Sequence, residues 1–263
     1  MKIGFIGCGN MATAILKGIL KSGEVAADII ASAKSDKTRE KIEKELGIQK
    51  ADTNAQVVDF ADVVFLAVKP QFLEGVLDEI KASVKEGQIF ISIAPGKTLQ
   101  WFADKLGEKT KVIRTMPNTP AMVGEGMTAL CVNDLVTEEE IALAVKLCNT
   151  FGKTEVIPER LMDVVVGVTG SSPAYVFMFL EAMADAAVAD GMPRAQAYKF
   201  AAQAVLGSAK LMLETGKHPG ELKDMVCSPA GTTIQAVRVL EEKGLRSAVF
   251  EAQTACVDKA KGM

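Results

Sequence analysis

Six residues near the start, Gly7-Cys8-Gly9-Asn10-Met11-Ala12, follow the apolar run KIGFI (Lys2–Ile6) and open the amphipathic run NMATAILKGILKSG. A strand that passes straight into a helix through a glycine turn commits the chain to a crossover fold, because the helix must lie back over the sheet it leaves. Gly7 permits the tight turn, Gly9 lets a phosphate approach the backbone, and Ala12 lets helix and strand pack closely. The free N–H groups and positive dipole end of the helix suit a pyrophosphate. This is the GxGxxA form of the dinucleotide fingerprint, and it makes Ile6, Gly7, Cys8, Gly9, Asn10 and Met11 candidate cofactor residues. Alone, the same turn also fits a ligand-free α/β protein.

The chain then continues the alternation. DIIAS (Asp28–Ser32) is a second strand, followed by the charged helix DKTREKIEKELG, which stops at Gly47. A third strand is expected before Asn54. DVVFLAV (Asp62–Val68) is nearly all apolar, as a central parallel strand covered on both faces must be. QIFISIA and KVIRTM add two more, and MTALCV and KTEVI extend the edge around the helix TEEEIALAVKLCNTFG. Strands and helices at this spacing predict a doubly wound sheet. After Pro158 no strand pattern remains. SSPAYVFMFLEAMADAAVADG and PRAQAYKFAAQAVLGSAKLMLETG are long, alanine-rich and apolar on almost every face, so they must be buried all round. About a hundred residues of helix make a thin shell for that, so helices of a second copy are the expected cover. The fold class is therefore α/β: an N-terminal Rossmann dinucleotide-binding domain over 1–158, then an all-helical dimerisation and substrate domain over 159–263.

Composition excludes several functions. With a net charge of −3, 5% aromatic residues and no basic run, no nucleic-acid surface is expected. The five cysteines are scattered and the lone His218 cannot complete a zinc site with them, so no metal is expected. Asn10, Thr13 and Lys17 interrupt the N-terminal run, and no other stretch reads as a membrane span. Reduced thiols and these absences point to a cytoplasmic protein with no membrane association.

The end of the second strand decides the nucleotide. NAD-type folds place an acid there for the ribose 2′-hydroxyl. Here it reads Ser32-Ala33-Lys34-Ser35, with Lys37 and Arg39 following. Hydroxyls and cations favour NADPH, with NADH as the alternative. Ala67-Val68-Lys69-Pro70 closes the fourth strand at the edge where such sheets bind ligands, and Asn54 is either a ribose contact or a helix cap. The loop Arg114-Thr115-Met116-Pro117-Asn118-Thr119-Pro120 leaves the same edge, either facing the nicotinamide or serving as a structural turn. No catalytic lysine or histidine stands in a suitable place, since His218 lies in the helix break GKHPGEL. An acceptor that is already protonated, such as an iminium, needs no strong acid. The stretch CSPAGTT then becomes the candidate clamp: Ser228 and Pro229 as cap and first-turn proline, Gly231 giving room for a ligand, Thr232 and Thr233 as hydroxyl donors.

Taken in order, IGCGNMA, LAVKP, MPNTP, GSSPAY, HPGELKDMV and CSPAGTT resemble the pyrroline-5-carboxylate reductase family along essentially the whole chain. The resemblance implies a homodimer, often assembled further into decamers, that reduces 1-pyrroline-5-carboxylate to L-proline with NADPH or NADH, the last step of proline biosynthesis. It puts Ile6–Met11 and Ala67–Lys69 on the cofactor, with Ser32 and Asn54 assisting. It puts Glu159, Thr232 and Thr233 around the substrate, and Thr233 on the ring nitrogen. Ala230 stands where the family often has glycine, so a glycine-type backbone is not expected there, and Met225 is given no contact. Two rivals remain at this point: a reductase of another small imine or carbonyl, and a nucleotide sensor that binds NADP without chemistry.

Overall fold

A computed structural model describes residues 1–262. It divides into two compact units, one formed by residues 1–170 with the chain end from Val257, the other by Ser171–Cys256.

The first unit is built on an eight-stranded sheet: β1 (Ile3–Ile6), β2 (Ile29–Ser32), β3 (Gln49–Ala51), β4 (Val63–Leu66), β5 (Ile89–Ser92), β6 (Lys111–Met116), β7 (Gly126–Val132) and β8 (Gly152–Val156). Their order is β3-β2-β1-β4-β5-β6-β7-β8. The first six run parallel, β7 pairs antiparallel with β6, and β8 runs parallel to β7. Strand order reverses between β1 and β4, the switch point at which open α/β sheets bind ligands.

Six helices connect the strands: α1 (Asn10–Lys21), α2 (Asp36–Lys44), α3 (Asn54–Phe60), α4 (Pro70–Ile80), α5 (Leu99–Leu106) and α6 (Glu138–Cys148). Each buries one stripe. In α1, Ile15 and Ile19 face the sheet while Lys17 and Lys21 point to water, the spacing that one helix face requires. Two apolar layers result. Ile3, Phe5, Ile15, Ile19 and Phe65 share one, while Ile6, Val57, Leu73, Leu77, Phe90 and Phe102 share the other. The rings of Phe5 and Phe65 stack at 4.5 Å between centroids on neighbouring strands. Burying each such ring stabilises the fold by about 2–3 kcal/mol.

One pair on the sheet is imperfect. Thr128 and Thr154 face each other in the β7–β8 register, and each has a buried hydroxyl oxygen with no hydrogen-bond partner. A buried hydroxyl without a partner costs free energy that an isosteric methyl does not. Thr128→Val is therefore expected to raise stability by about 1 kcal/mol. Chemical denaturation with an unchanged m-value would read this out, and a lower midpoint would refute it.

After β8 the described residues form helices and connecting turns, with no further strand. α7 (Met162–Val165) runs into a π-helical segment, Val166–Ser171, and on into α8 (Ser172–Ala189). α9 (Arg194–Thr215), α10 (Pro219–Val226), α11 (Thr232–Glu242) and α12 (Leu245–Lys261) follow. α8 and α9 pack on each other, yet Phe177, Met178, Phe200 and Leu213 remain exposed on them. The continuous run Glu159–Ala189 is long and apolar enough to cross a membrane by length and composition. This corrects the expectation that no such stretch exists. The glycines and serines of 167–172 disguised it, because the π turn carries the helix through them. His218 caps α10, its Nδ1 accepting from the Gly220 N–H at 3.1 Å, so this histidine has a structural partner.

Candidate functional site

The helix starts separate two kinds of loop. α2, α3, α5 and α6 are capped by the side chains of Ser35, Thr53, Thr98 and Thr137, and the α3 and α6 caps are full capping boxes. α1 and α4 are not: Gly9 and Lys69 make no side-chain cap, and neither first turn holds an acid. These are the helices that follow β1 and β4, the two strands at the switch point. Helix N-termini left without caps leave N–H groups for an anion.

The turn between β1 and α1 is shaped for a close approach. Gly7 has φ of +92°, and a Cβ there would stand 2.7 Å from the Ala67 carbonyl oxygen. The Gly7 N–H donates to Ser32 and the Ala67 N–H to Ile6. The loops after β1, β2 and β4 are thus fixed on one another by backbone bonds. At Gly9 a Cβ would meet nothing within 4 Å. The space beside it is open, and a pyrophosphate would lie over it. The side chain of Cys8 is buried against Thr13, and burial pushes its thiol pKa up. Cys8 therefore serves the turn through its backbone. Asn10 is exposed and Met11 half-buried at the same helix start.

At the end of β2, Ser32 donates to Asn54 Oδ1 at 2.6 Å, and Asn54 Nδ2 donates to Glu79 at 2.8 Å. Asn54 is not the cap of α3, since Thr53 fills that role with Gln56. Its amide instead ties β2 to α3 and α4. Lys34 is exposed at this edge, and Arg39 folds back so that its Nε donates to the Ala33 carbonyl at 2.8 Å. No acid occupies Ser32, Ala33 or Lys34, and the acid nearest in sequence, Asp36, sits in the first turn of α2. Ala67 and Val68 are half-buried beside Gly7, Lys69 is exposed, and Pro70 opens α4 where a missing N–H costs nothing. These residues fit a dinucleotide; the loop after β2 carries the exposed Lys34, while the Glu79 carboxylate stands against Asn54.

The loop after β6 is held by the amide of Asn118. Asn118 donates to Thr169 O at 3.0 Å and accepts from Met127 N at 2.8 Å, so both ends of its amide are used within the unit. Nearby lies a constellation that spacing alone could not show. Arg114, buried on β6, forms an ion pair with Glu159, and the same carboxylate oxygen accepts the Leu99 N–H at 2.7 Å. The resemblance puts Glu159 around the substrate; in the structure its Oε1 joins β6 to the start of α5. Burial raises the Cys131 thiol to about 11, and Cys148 to about 12. Both remain neutral near physiological pH, as small apolar core residues do.

In the second unit the stretch before α11 differs from its expected form. Ser228 and Pro229 do not cap the helix: Gly231 holds the N-cap position without a side-chain cap, and no acid stands in the first turn. Ser228–Gly231 forms a β-turn closed by Gly231 N–H to Ser228 O at 3.0 Å. Ala230, the third residue of that turn, has φ of +59°. Proline second and positive φ third is the type II pattern, which favours glycine at the third place. Ala230 therefore does adopt a left-handed backbone, contrary to expectation. At Gly231 a Cβ would meet Ser228 Oγ at 2.3 Å, so only glycine fits without displacing that side chain. Thr232 is exposed and Thr233 half-buried on the first turn of an uncapped helix. Elsewhere in this unit Ser171, Tyr175 and Cys256 come together. Cys256 Sγ donates to Ser171 at 3.1 Å, and desolvation, with the Cys256 contact, raises the Tyr175 pKa.

A switch-point glycine turn, two uncapped helices beside it and a separate apolar helical unit define a dinucleotide-binding protein of the Rossmann type. The comparisons with known proteins agree. Residues 2–96 match a family model described as NADP oxidoreductase coenzyme F420-dependent, and residues 159–263 match the model of pyrroline-5-carboxylate reductase dimerisation. The chain is 56% identical over 261 residues to the pyrroline-5-carboxylate reductase of Escherichia coli (strain K12), covering 99% of this chain and 97% of that protein. It superposes with a TM-score of 0.94 on a pyrroline-5-carboxylate reductase from Coxiella burnetii, at 35% identity, covering 99% of this chain and 97% of that one. A Plasmodium falciparum pyrroline carboxylate reductase with NADP bound superposes with a TM-score of 0.88 at 28% identity, covering 100% of this chain and 97% of that one. The chain belongs to the pyrroline-5-carboxylate reductase family. Its helical unit is a dimerisation domain, which accounts for the apolar faces left exposed on α8 and α9.

Proposed function

We propose that this protein reduces the ring C=N of 1-pyrroline-5-carboxylate to give L-proline, the last step of proline biosynthesis, with NADPH preferred over NADH. The observation that carries the reading is the start of α11: an uncapped helix N-terminus with no acid in its first turn and two adjacent threonines on it. Its N–H groups and positive dipole end receive the substrate carboxylate. Gly231 keeps the backbone open to that group. The Thr233 hydroxyl oxygen accepts the N–H of the protonated ring nitrogen and so orients the imine. No side chain needs to give up a proton to an acceptor that already carries one. When bound, the nicotinamide supplies the hydride that reduces the imine carbon.

On the cofactor side, the turn Ile6–Met11 holds the pyrophosphate, Gly9 by leaving space and α1 by its free N–H groups. Ala67, Val68, Lys69 and Pro70 border the nicotinamide half, and Lys34 meets the 2′-phosphate. Ser32 and Asn54 support the ribose through their mutual hydrogen bond. Glu159 acts one step back, by fixing Arg114 and the start of α5. A homodimer through the helical unit, with decamers as a further assembly, completes the reading. The five free cysteines suit a reducing cytoplasm.

The experiment is direct. The purified protein should consume NADPH with pyrroline-5-carboxylate, at a higher kcat/KM than with NADH, and turn over the six-membered piperideine and simple keto acids poorly. Saturable NADPH binding with no turnover on any of these substrates would favour a nucleotide sensor and reject the reductase.

A further inference from the structure

Phe72 is exposed in a place where exposure calls for a reason. It lies in the first turn of α4, its N–H bonded to the Lys69 carbonyl at 2.9 Å, and 54% of its surface is accessible. Lys34, from the loop after β2, places its Nζ 5.8 Å from the centre of the Phe72 ring. β2 and β4 are not neighbours, since β1 lies between them. The contact therefore reaches from one flank of β1 to the other at its carboxyl end. Arg39, bonded to Ala33, holds the loop that carries Lys34.

We propose that Phe72 is the platform on which the adenine of the dinucleotide stacks, and that Lys34 is the cover it displaces; this rests on the NADP-dependent reductase reading. In a fold of this type the adenosine ribose lies at the end of β2. The adenine and the 2′-phosphate hang on that one sugar. Lys34 is the cation at the phosphate position, and an aromatic face within reach of the cation is within reach of the base. Without nucleotide the ammonium covers the ring. The 2′-phosphate draws Lys34 away and uncovers the face for the base. NADH has no phosphate to do this, so its adenine must compete with the ammonium for the same ring. Selectivity then has two parts, an attraction to the phosphate and an exclusion of the nucleotide that lacks it.

Calorimetric titration of the whole protein with NADPH and NADH tests this without reference to turnover. Both side chains are solvent-accessible, so Phe72→Ala and Lys34→Met should fold, which thermal melting checks. Phe72→Ala is expected to weaken NADPH about ten-fold, the usual effect of removing one base-stacking ring. Lys34→Met is expected to weaken NADPH yet tighten NADH. In the Phe72→Ala background, Lys34→Met should no longer tighten NADH, because there is no ring left to uncover. Unchanged affinity for both nucleotides in Phe72→Ala overturns the platform. Failure of Lys34→Met to tighten NADH overturns the cover. Equal affinity of the unaltered protein for NADPH and NADH would instead overturn the NADPH preference, and Phe72→Ala would still decide the platform.

Discussion

Thr233→Val is expected to lower kcat/KM for pyrroline-5-carboxylate by about 10- to 100-fold while leaving the Kd for NADPH unchanged. A hydrogen bond to a charged group contributes about 1.5–3 kcal/mol, and each 1.4 kcal/mol is ten-fold. Valine keeps the shape of threonine and the backbone N–H groups of α11, so only the hydroxyl is removed. That separates Thr233 from its neighbours. Thr232→Val retains the same N–H groups and, in an exposed position, should cost less than ten-fold. Gly231→Ala acts differently again, because its Cβ would sit 2.3 Å from Ser228 Oγ and displace that side chain from the turn. Steady-state kinetics and nucleotide binding on the same preparations make the comparison. Turnover unchanged in Thr233→Val would remove that residue from the chemistry.

Glu159→Ala is expected to destabilise the protein by about 2–4 kcal/mol, a fall in Tm of about 5–10 °C for a chain of this size. The two ends of its ion pair are unequal: the Arg114 side chain is 8% exposed and that of Glu159 35%. Removing the glutamate leaves a buried guanidinium without its anion and takes the acceptor from the Leu99 N–H. Removing the arginine leaves a carboxylate that water can reach. Arg114→Met should therefore cost less than Glu159→Ala, and Glu159→Gln should fall between wild type and Glu159→Ala because an amide oxygen still accepts. Thermal melts of the three variants test the order. A Glu159→Ala protein that melts with the wild type would show that the pair contributes nothing.

What the sequence made legible follows from how local each signal is. The switch from the strand run at Lys2–Ile6 to the helical run at Asn10, with glycines at the join, is written within about twenty residues. So are the other strands and the loss of strand pattern after Pro158. The Arg114–Glu159 pair was hidden because its members stand 45 residues apart on separate elements. Spacing carries no trace of such a contact. The loop at Asn118 reads either as a nicotinamide contact or as a structural turn, and the partners that occupy its amide are Met127 and Thr169, 9 and 51 residues away. The turn before α11 was misread for a local reason. Ser228-Pro229-Ala230-Gly231 has the order of a type II turn, but alanine at the third place hid the positive φ that the turn requires. The run Glu159–Ala189 contains Gly167 and Gly170, and the π turn keeps the helix whole through them.

That long run has a consequence for any measurement on this protein. Only 6% of its most apolar window is buried by its own chain, so in the proposed homodimer part of the free energy that holds the fold would come from mating two chains. Stability then becomes a function of dilution, and each ten-fold change in protein concentration moves a two-chain equilibrium by about 1.4 kcal/mol. A substitution on α8 or α9 that looks silent in a concentrated sample can unfold the protein at the concentrations of an enzyme assay, where lost dimer would pass for lost catalysis.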